Sequence, residues 1–358
     1  MNRILVVLPS WVGDVCMATP VLRHLAAEHP TARIIAFGRP MLASLMDGLP
    51  FVHGFIPGSM RGRAAIAELG AVRKGQFDAV LLLPNSMRSA LFSRLSGIPE
   101  RVGTARDGRA WLLTHPFAQT RRMKSAVDFY ADLAQWWTRS PLSDRVIELR
   151  VRAHEVAGAG ALLLEATPRT HADAERAAAR DLILLNPGAN RLDKRWPGDS
   201  FARAAAAIRA QHSSAGTLQI AVTGSRSEAT LCADIAGRCG AVDLCARGIT
   251  LGSLKGILQR TALLITNDTG PRHMAAALNT PTIALFGPTD WRWTPLNYPL
   301  ERRLVAEPFL TEDRVADDHP HECAIDRIAV GDVVGAAGQL LAARDAAESH
   351  RDPSRIPS

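Results

Sequence analysis

Three groups of residues in this chain have the types and spacing to do chemistry. Asp14 closes the segment Pro9-Ser10-Trp11-Val12-Gly13-Asp14, which follows the apolar run Arg3–Leu8. A carboxylate just past a buried strand lies where open α/β sheets hold ligands, and it can take a proton from a hydroxyl. Asn186-Pro187-Gly188-Ala189-Asn190 follows a second apolar run, Leu182–Leu185, and leads into Arg191–Pro197 with Lys194. Gly188 allows a backbone to approach a ligand closely, and Lys194 is a point charge suited to a leaving diphosphate. Asn267-Asp268-Thr269-Gly270-Pro271-Arg272-His273 follows a third run, Ala262–Ile265. There the free N–H groups and positive dipole end of a helix suit a phosphate, Asp268 can grip sugar hydroxyls, and His273 can donate. A capped strand-to-helix turn accounts for the same residue types, so capping remains an alternative for the Asp14, Glu228 and Thr269 regions.

These positions require strand–loop–helix units to carry them. In the first half Arg3–Leu8, Arg33–Phe37, Val52–Ile56, Phe77–Leu83 and Ile98–Thr104 read as strands. Helices are expected over Val15–Ala27, Met41–Leu49, Gly62–Lys74, Ser86–Leu95 and Met123–Thr138. Asn85, Ser86 and Arg88 then stand at a strand's C-terminal edge, either lining an acceptor pocket or, for Asn85 and Ser86, capping a helix. Arg101 and Arg106 are candidates for binding acidic groups. Tyr130 and Trp137 are expected in the core.

The second half repeats the pattern. Leu182–Leu185, Gln219–Thr223, Ala262–Ile265 and Thr282–Phe286 are expected strands, and Phe201–Gln211, Ser227–Cys239 and Leu251–Gln259 expected helices. Glu228 falls in the first turn of one of these helices, just past Thr223-Gly224-Ser225. The alternation predicts doubly wound parallel sheets.

A length of 358 residues suggests two domains, and an apolar content of 47% can fill two cores. Between Val151 and Asp181 the composition shifts to Ala, Gly, Glu and Arg and reads as a linker, with a break at Thr167-Pro168-Arg169-Thr170 and a helix expected over Ala172–Arg180 that leads into the second domain. The boundary is therefore placed at Pro168, giving domains 1–167 and 168–344 and a polar, disordered tail over 345–358. A net charge of +7 favours acidic partners. No secretory signal and no apolar stretch long enough to span a membrane is evident. The five cysteines lack paired zinc spacing and suit reduced thiols.

With these residues in place, the chain resembles a known family. Asn-Asp-Thr-Gly-x-x-His at 267–273, followed by Ala-Ala-Ala-Leu and a strand ending Phe-Gly-Pro-Thr, looks like the nucleotide-sugar site of the ADP-heptose:lipopolysaccharide heptosyltransferases, glycosyltransferase family 9. Leu-Pro-Ser-Trp-Val-Gly-Asp at 8–14, then Met-Ala-Thr-Pro-Val-Leu, is similar to the family's N-terminal motif, especially of the second-heptose type. Asn-Pro-Gly-Ala at 186–189 with Asp-Lys-Arg-Trp-Pro at 193–197 matches a further signature. His321-Glu322-Cys323 and Ile325–Leu341 resemble the family's C-terminal Cys-containing segment and last helix, so the likeness covers nearly the whole chain.

The resemblance implies a GT-B fold: two Rossmann-like domains facing a central cleft, the first for acceptor and the second for nucleotide sugar. It implies inverting transfer of L-glycero-D-manno-heptose from ADP-heptose to the inner core of lipopolysaccharide, a lipid A–Kdo acceptor, by a cytoplasmic enzyme in peripheral contact with the membrane. Asp14 carries over as base and Lys194 as support for the leaving group. Gly188, Glu228, Asp268, Thr269, Gly270 and His273 carry over to the donor, and Gly13, Asn85, Ser86 and Arg101 to the acceptor. Pro271-Arg272 departs from the family pattern; Arg272 is expected to contact phosphate or face solvent. No cofactor or metal is expected, since no Asp-x-Asp motif occurs.

Other readings remain open at this point. A GT-B enzyme with a different donor or acceptor would keep the fold and base. The lack of GxGxxG after the first strand argues against a dehydrogenase, and Asp14 with Lys194 argues against a non-catalytic binder. Charge alone does not make a nucleic-acid protein, and no recognition motif accompanies it.

Overall fold

The computed structural model describes residues 1–118, 124–164, 182–212, 218–296, 298–307, 309–311, 314 and 316–349. Strands β1 (Arg3–Val7), β2 (Arg33–Gly38), β3 (Gly54–Pro57), β4 (Ala79–Leu82), β5 (Glu100–Thr104) and β6 (His115–Phe117) form one parallel sheet in the order β3-β2-β1-β4-β5-β6. The inner strands are continuous apolar runs because helices cover both faces; Leu5, Val7, Val80 and Leu82 pack with Phe37 and Phe92 in one core.

A second parallel sheet holds β7 (Leu182–Asn186), β8 (Gln219–Val222), β9 (Val242–Asp243), β10 (Thr261–Asn267), β11 (Thr282–Phe286) and β12 (Glu301–Val305) in the order β12-β11-β10-β7-β8-β9. Its core gathers Ile183, Leu185, Ile220, Val222 and Ile265 around Trp196 and Phe201, whose rings meet edge to face at 5.0 Å. Counted from its own first strand, this sheet has the connectivity of the first one. In each, the order reverses beside the first strand: between β1 and β4, and between β7 and β10. Ligands of doubly wound sheets bind in the crevice outside such a switch point.

Three edge strands escaped the sequence reading. β6 is the three-residue segment His-Pro-Phe, β9 has two residues, and β12 begins Glu-Arg-Arg. Each lies at or next to the end of a sheet, where one side has less to bury, so its sequence carries little apolar signal.

The chain divides into two compact units, residues 1–152 with 292–295, and residues 153–291 with 296 onward. The boundary lies at Arg152/Ala153 and not at Pro168, which falls outside the described residues, as does the helix expected over 172–180. The reason is a helix at Ala153–Leu164 that the small-residue composition disguised as linker. It packs on helix Leu251–Arg260 through a fully buried ion pair, Lys255 Nζ to Glu155 at 2.9 Å, and so belongs to the second unit. At the other end, helix Val330–Ser349 continues past Leu341 into the segment expected to be a tail, whose residues 350–358 lie outside the described ones. Among the described residues, no helix is long and apolar enough to cross a membrane.

Candidate active site

In the first unit the segment after β1 folds as two short helices, Val12–Met17 and Thr19–Glu28. The expected single helix breaks because Pro20 has no N–H for the Cys16 carbonyl; the Thr19 hydroxyl donates to that carbonyl instead, at 2.7 Å. Gly13 and Asp14 therefore sit inside the first helical turn, Gly13 buried and Asp14 half-buried. Among the described residues no hydrogen bond reaches the Asp14 carboxylate, and burial pushes its pKa from 3.8 up to about 6. Tyr130, in helix Ala126–Thr138, is buried, and burial and then the Asp14 charge hold its phenol far above the usual value. Asp14 is thus a carboxylate with raised proton affinity and a neutral hydroxyl in its field.

Asn85 and Ser86 follow β4, across the switch point from Asp14. Ser86 caps helix Met87–Leu95: its Oγ accepts from Ser89 N at 3.2 Å. Asn85 Oδ1 accepts from the Thr104 hydroxyl at 2.5 Å. Behind this loop lies Arg109, fully buried, which the sequence reading missed. Its guanidinium donates to the carbonyls of Thr104 (2.9 Å), Pro84 (2.7 Å) and Ser86 (3.1 Å) and to the Thr104 hydroxyl (2.9 Å). Burial pulls its pKa down to about 10, so it stays charged at neutral pH and splints the loop. One Arg in a charged stretch gives no hint of this role.

Arg101 does not join that group. It is the second residue of β5, near the strand's N-terminal end, and its side chain donates to the carbonyls of Leu112 (2.9 Å), Ile98 (2.7 Å) and Pro99 (3.2 Å). Its donors hold the entry into the sheet, at the edge opposite the loops of Asp14 and Asn85. The acceptor assignment for Arg101 is withdrawn on that ground.

In the second unit three loops leave the C-terminal edge of the sheet, after β7, β8 and β10. Two asparagines join the first and last. Asn186 Nδ2 donates to Thr266 Oγ1 and Thr269 Oγ1, both at 2.8 Å. Asn267 Nδ2 donates to the Pro187 carbonyl at 2.8 Å, while its Oδ1 accepts from Trp196 N at 3.1 Å. Trp196 anchors its own loop, with Nε1 donating to the Ile328 carbonyl at 3.0 Å. The asparagines read as turn formers in sequence; a polar residue closing an apolar run was the available signal for their cross-strand role.

Glu228 opens the segment before helix Ala229–Cys239. Its Oε2 accepts from the N–H and hydroxyl of Ser225, both at 2.7 Å, a reciprocal cap, and Arg195 stands 3.6 Å from Oε1. A Cβ on Gly188 would lie 2.2 Å from Glu228 Oε1, so any larger residue there would displace the Glu228 carboxylate. Lys194 ends the short 3₁₀ turn Leu192–Lys194 and is half-buried.

Helix Gly270–Ala277 starts at Thr269, which supplies no side-chain cap. Pro271 brings no N–H and Arg272 N bonds the Thr269 carbonyl at 3.1 Å, so the Gly270 N–H is left at the dipole's positive end. Arg272 does not face solvent, and it is held by carboxylates. It is fully buried, gripping Glu301 through two bonds of 2.7 and 2.9 Å and Asp268 Oδ1 at 2.9 Å, with its guanidinium 4.9 Å from the Phe286 ring centre. Glu301 lies on the unexpected strand β12, which is why this role was not legible. Asp268 keeps one carboxylate oxygen clear of this clamp.

His273 also departs from its expected role. Its Nδ1 lies 3.1 Å from the Thr269 carbonyl, which only accepts, so Nδ1 carries the proton. Burial, and then the Arg272 charge, lower its pKa, leaving the ring neutral and Nε2 a buried acceptor without a partner among the described residues. In that state it cannot donate to a diphosphate; it braces the loop through Thr269.

Two doubly wound parallel units, each with candidate site residues at its switch point, define the class: this is the GT-B fold of glycosyltransferases. The sequence profile of glycosyltransferase family 9 (heptosyltransferase) matches residues 67–312, and the chain belongs to that family. It is 29% identical over 326 residues to lipopolysaccharide heptosyltransferase 2 of Escherichia coli K12, covering 82% of this chain and 85% of that one. It is 27% identical over 306 residues to lipooligosaccharide heptosyltransferase 2 of Haemophilus influenzae, covering 82% and 85%. Among solved structures, E. coli ADP-heptose lps heptosyltransferase II superposes with a TM-score of 0.78 at 25% identity, over 96% of this chain and all of that one. A family 9 glycosyltransferase from Veillonella parvula gives 0.80 at 20% identity, a likeness of fold. The chain is thus a glycosyltransferase.

Proposed function

We propose that this enzyme transfers a heptose from ADP-heptose to the inner core of lipopolysaccharide, with inversion at the anomeric carbon. The observation that carries the chemistry is Asp14, a carboxylate without a hydrogen-bond partner among the described residues and with a pKa raised to about 6. A base with a pKa just below the working pH is ionised yet still binds a proton well. Asp14 takes the proton of the acceptor hydroxyl, whose oxygen attacks the anomeric carbon. The bond from that carbon to the diphosphate oxygen breaks, and ADP leaves with the electron pair. Lys194, the Gly270 N–H and the helix dipole offset the charge that develops on the diphosphate.

The remaining roles are those the family resemblance implies, and the position of each residue beyond a strand's C-terminal end supports them. Glu228 takes ribose hydroxyls with Oε1, and the Gly188 and Gly224 backbones line the nucleoside. Asp268 takes heptose hydroxyls with its oxygen not held by Arg272. Thr269 shapes the diphosphate loop, braced by Asn186 and His273. Gly13, Asn85 and Ser86 meet the acceptor. The enzyme works at the cytoplasmic membrane face and touches it peripherally; the net charge of +7 and the exposed Trp11 and Met87, beside the Asp14 and Asn85 loops, support that placement. The names of the heptosyltransferase 2 relatives support the donor and acceptor.

Calorimetric titration with ADP-heptose, ADP and UDP-sugars, with a transfer assay on lipid A–Kdo core acceptor, tests this. Binding of ADP-heptose and ADP with transfer is expected. Binding of UDP-sugars instead would keep the fold and discard the heptose.

A further inference from the structure

Two thiols that play no part in the mechanism meet beside the candidate nucleoside pocket. Cys232 is buried in helix Ala229–Cys239, and Cys245, in the turn after β9, is half-buried. Thirteen positions apart, their sulfurs lie 2.9 Å from each other. Cys245 Sγ also stands 4.0 Å from the Ser225 carbonyl. The backbone at Gly224 presses on the same spot: a Cβ there would lie 2.9 Å from Cys232 Sγ, 3.2 Å from Glu228 Oε2 and 3.3 Å from Cys245 Sγ. The pair, the Ser225 cap and the Glu228 carboxylate thus surround one glycine.

We propose that Cys232 and Cys245 form an oxidisable dithiol, a modification site whose disulfide reshapes the nucleoside pocket. The effect on binding rests on the donor reading of Glu228; the disulfide itself does not. A disulfide needs its sulfurs about 2.0 Å apart, so the bond forms with a contraction of about 1 Å. The Cys245 hydrogen bond and burial keep Cys232 protonated, far above the usual thiol value, so the half-exposed Cys245 reacts first. With a peroxide as oxidant, the Cys245 thiolate attacks one oxygen, the O–O bond breaks, and water leaves after protonation, giving the sulfenic acid. Cys232 then attacks Cys245 Sγ; the S–O bond breaks, a second water leaves and the S–S bond forms. Two thiols are oxidised and one hydrogen peroxide is reduced to two waters. The bond ties the helix that follows β8 to the turn that follows β9, and it removes the thiol proton near the Ser225 carbonyl. Gly224, Ser225 and Glu228 must adjust to both changes.

The test treats the native full-length protein with hydrogen peroxide and then counts thiols in denaturant, with peptide mapping of disulfides. The expected result is a fall from five free thiols to three, a linked Cys232–Cys245 peptide pair, reversal by dithiothreitol, and no linkage in Cys245→Ser. Five remaining thiols, or loss at other cysteines only, would overturn the proposal. ADP titration of both forms reads the consequence: oxidation should weaken binding about tenfold and leave Cys245→Ser unaffected. A mapped disulfide with unchanged ADP binding overturns the coupling to the pocket. Failure of the reduced protein to bind ADP overturns the donor reading, while the thiol count still decides the dithiol.

Discussion

The two sheets share one connectivity and use their switch points in opposite ways. Outside β7 and β10 the side chains are committed: Asn186 and Asn267 sew the loops together, Arg272 spans Asp268 and Glu301, and Glu228 closes a cap. Outside β1 and β4 the loop is splinted from behind by Arg109, but Asp14 itself is left without a hydrogen-bond partner among the described residues. The difference matches the two tasks proposed for them. A site that must hold a charged diphosphate gains from groups fixed in advance. A base must exchange a proton, and a strong partner would lower its pKa and spoil it.

Each side of this contrast can be broken separately. Asp14→Asn keeps the shape and removes the base, so transfer should fall by about a thousandfold with ADP binding unchanged. Retained transfer would remove Asp14 from the reaction. Arg272→Ala should leave the Asp268 carboxylate, 10% exposed, without this ion-pair partner and Glu301, 3% exposed, with only Arg303 at 3.6 Å, costing about 3–5 kcal/mol in denaturant unfolding. A change near zero would mean the clamp is replaceable. Asn267→Ala loses the bonds to Trp196 N and the Pro187 carbonyl; a stability loss of about 1–3 kcal/mol is expected, with weaker ADP binding.

The last effect has a size that depends on pH. Asp14 holds its proton more tightly when folded than the usual 3.8 allows, so its ionisation opposes folding. That cost is absent below 3.8, grows as pH rises toward 6, and is complete above about 6, where it reaches up to roughly 3 kcal/mol less solvent screening. Asp14→Asn should therefore raise the thermal midpoint at pH 8 and leave it nearly unchanged at pH 4, the pH values marking either side of this window. Equal shifts at both would deny that burial raises this pKa.

The sequence made much of this readable. β1, β7 and β10 announce themselves as apolar runs, and the residues just past them are the ones that collect at the switch points. What escaped depends on partners far along the chain. Arg272 looks like a surface residue until β12 supplies Glu301, 29 positions away. His273 looks like a donor until the Thr269 carbonyl claims its one proton. Arg101 looks like an acceptor contact until β5 is seen to place it at the wrong end of a strand. Ala153–Leu164 looks like a linker because small residues serve close helix packing as well as they serve flexibility.

The central claim is that Asp14, tuned by burial, is the base. The pH dependence of kcat/KM for heptosyl transfer tests it most directly. An acid limb with an apparent pKa of about 6 in the wild-type enzyme, lost in the residual activity of Asp14→Asn, is the predicted result. A wild-type profile flat through pH 6, or the same limb surviving in the variant, would contradict it.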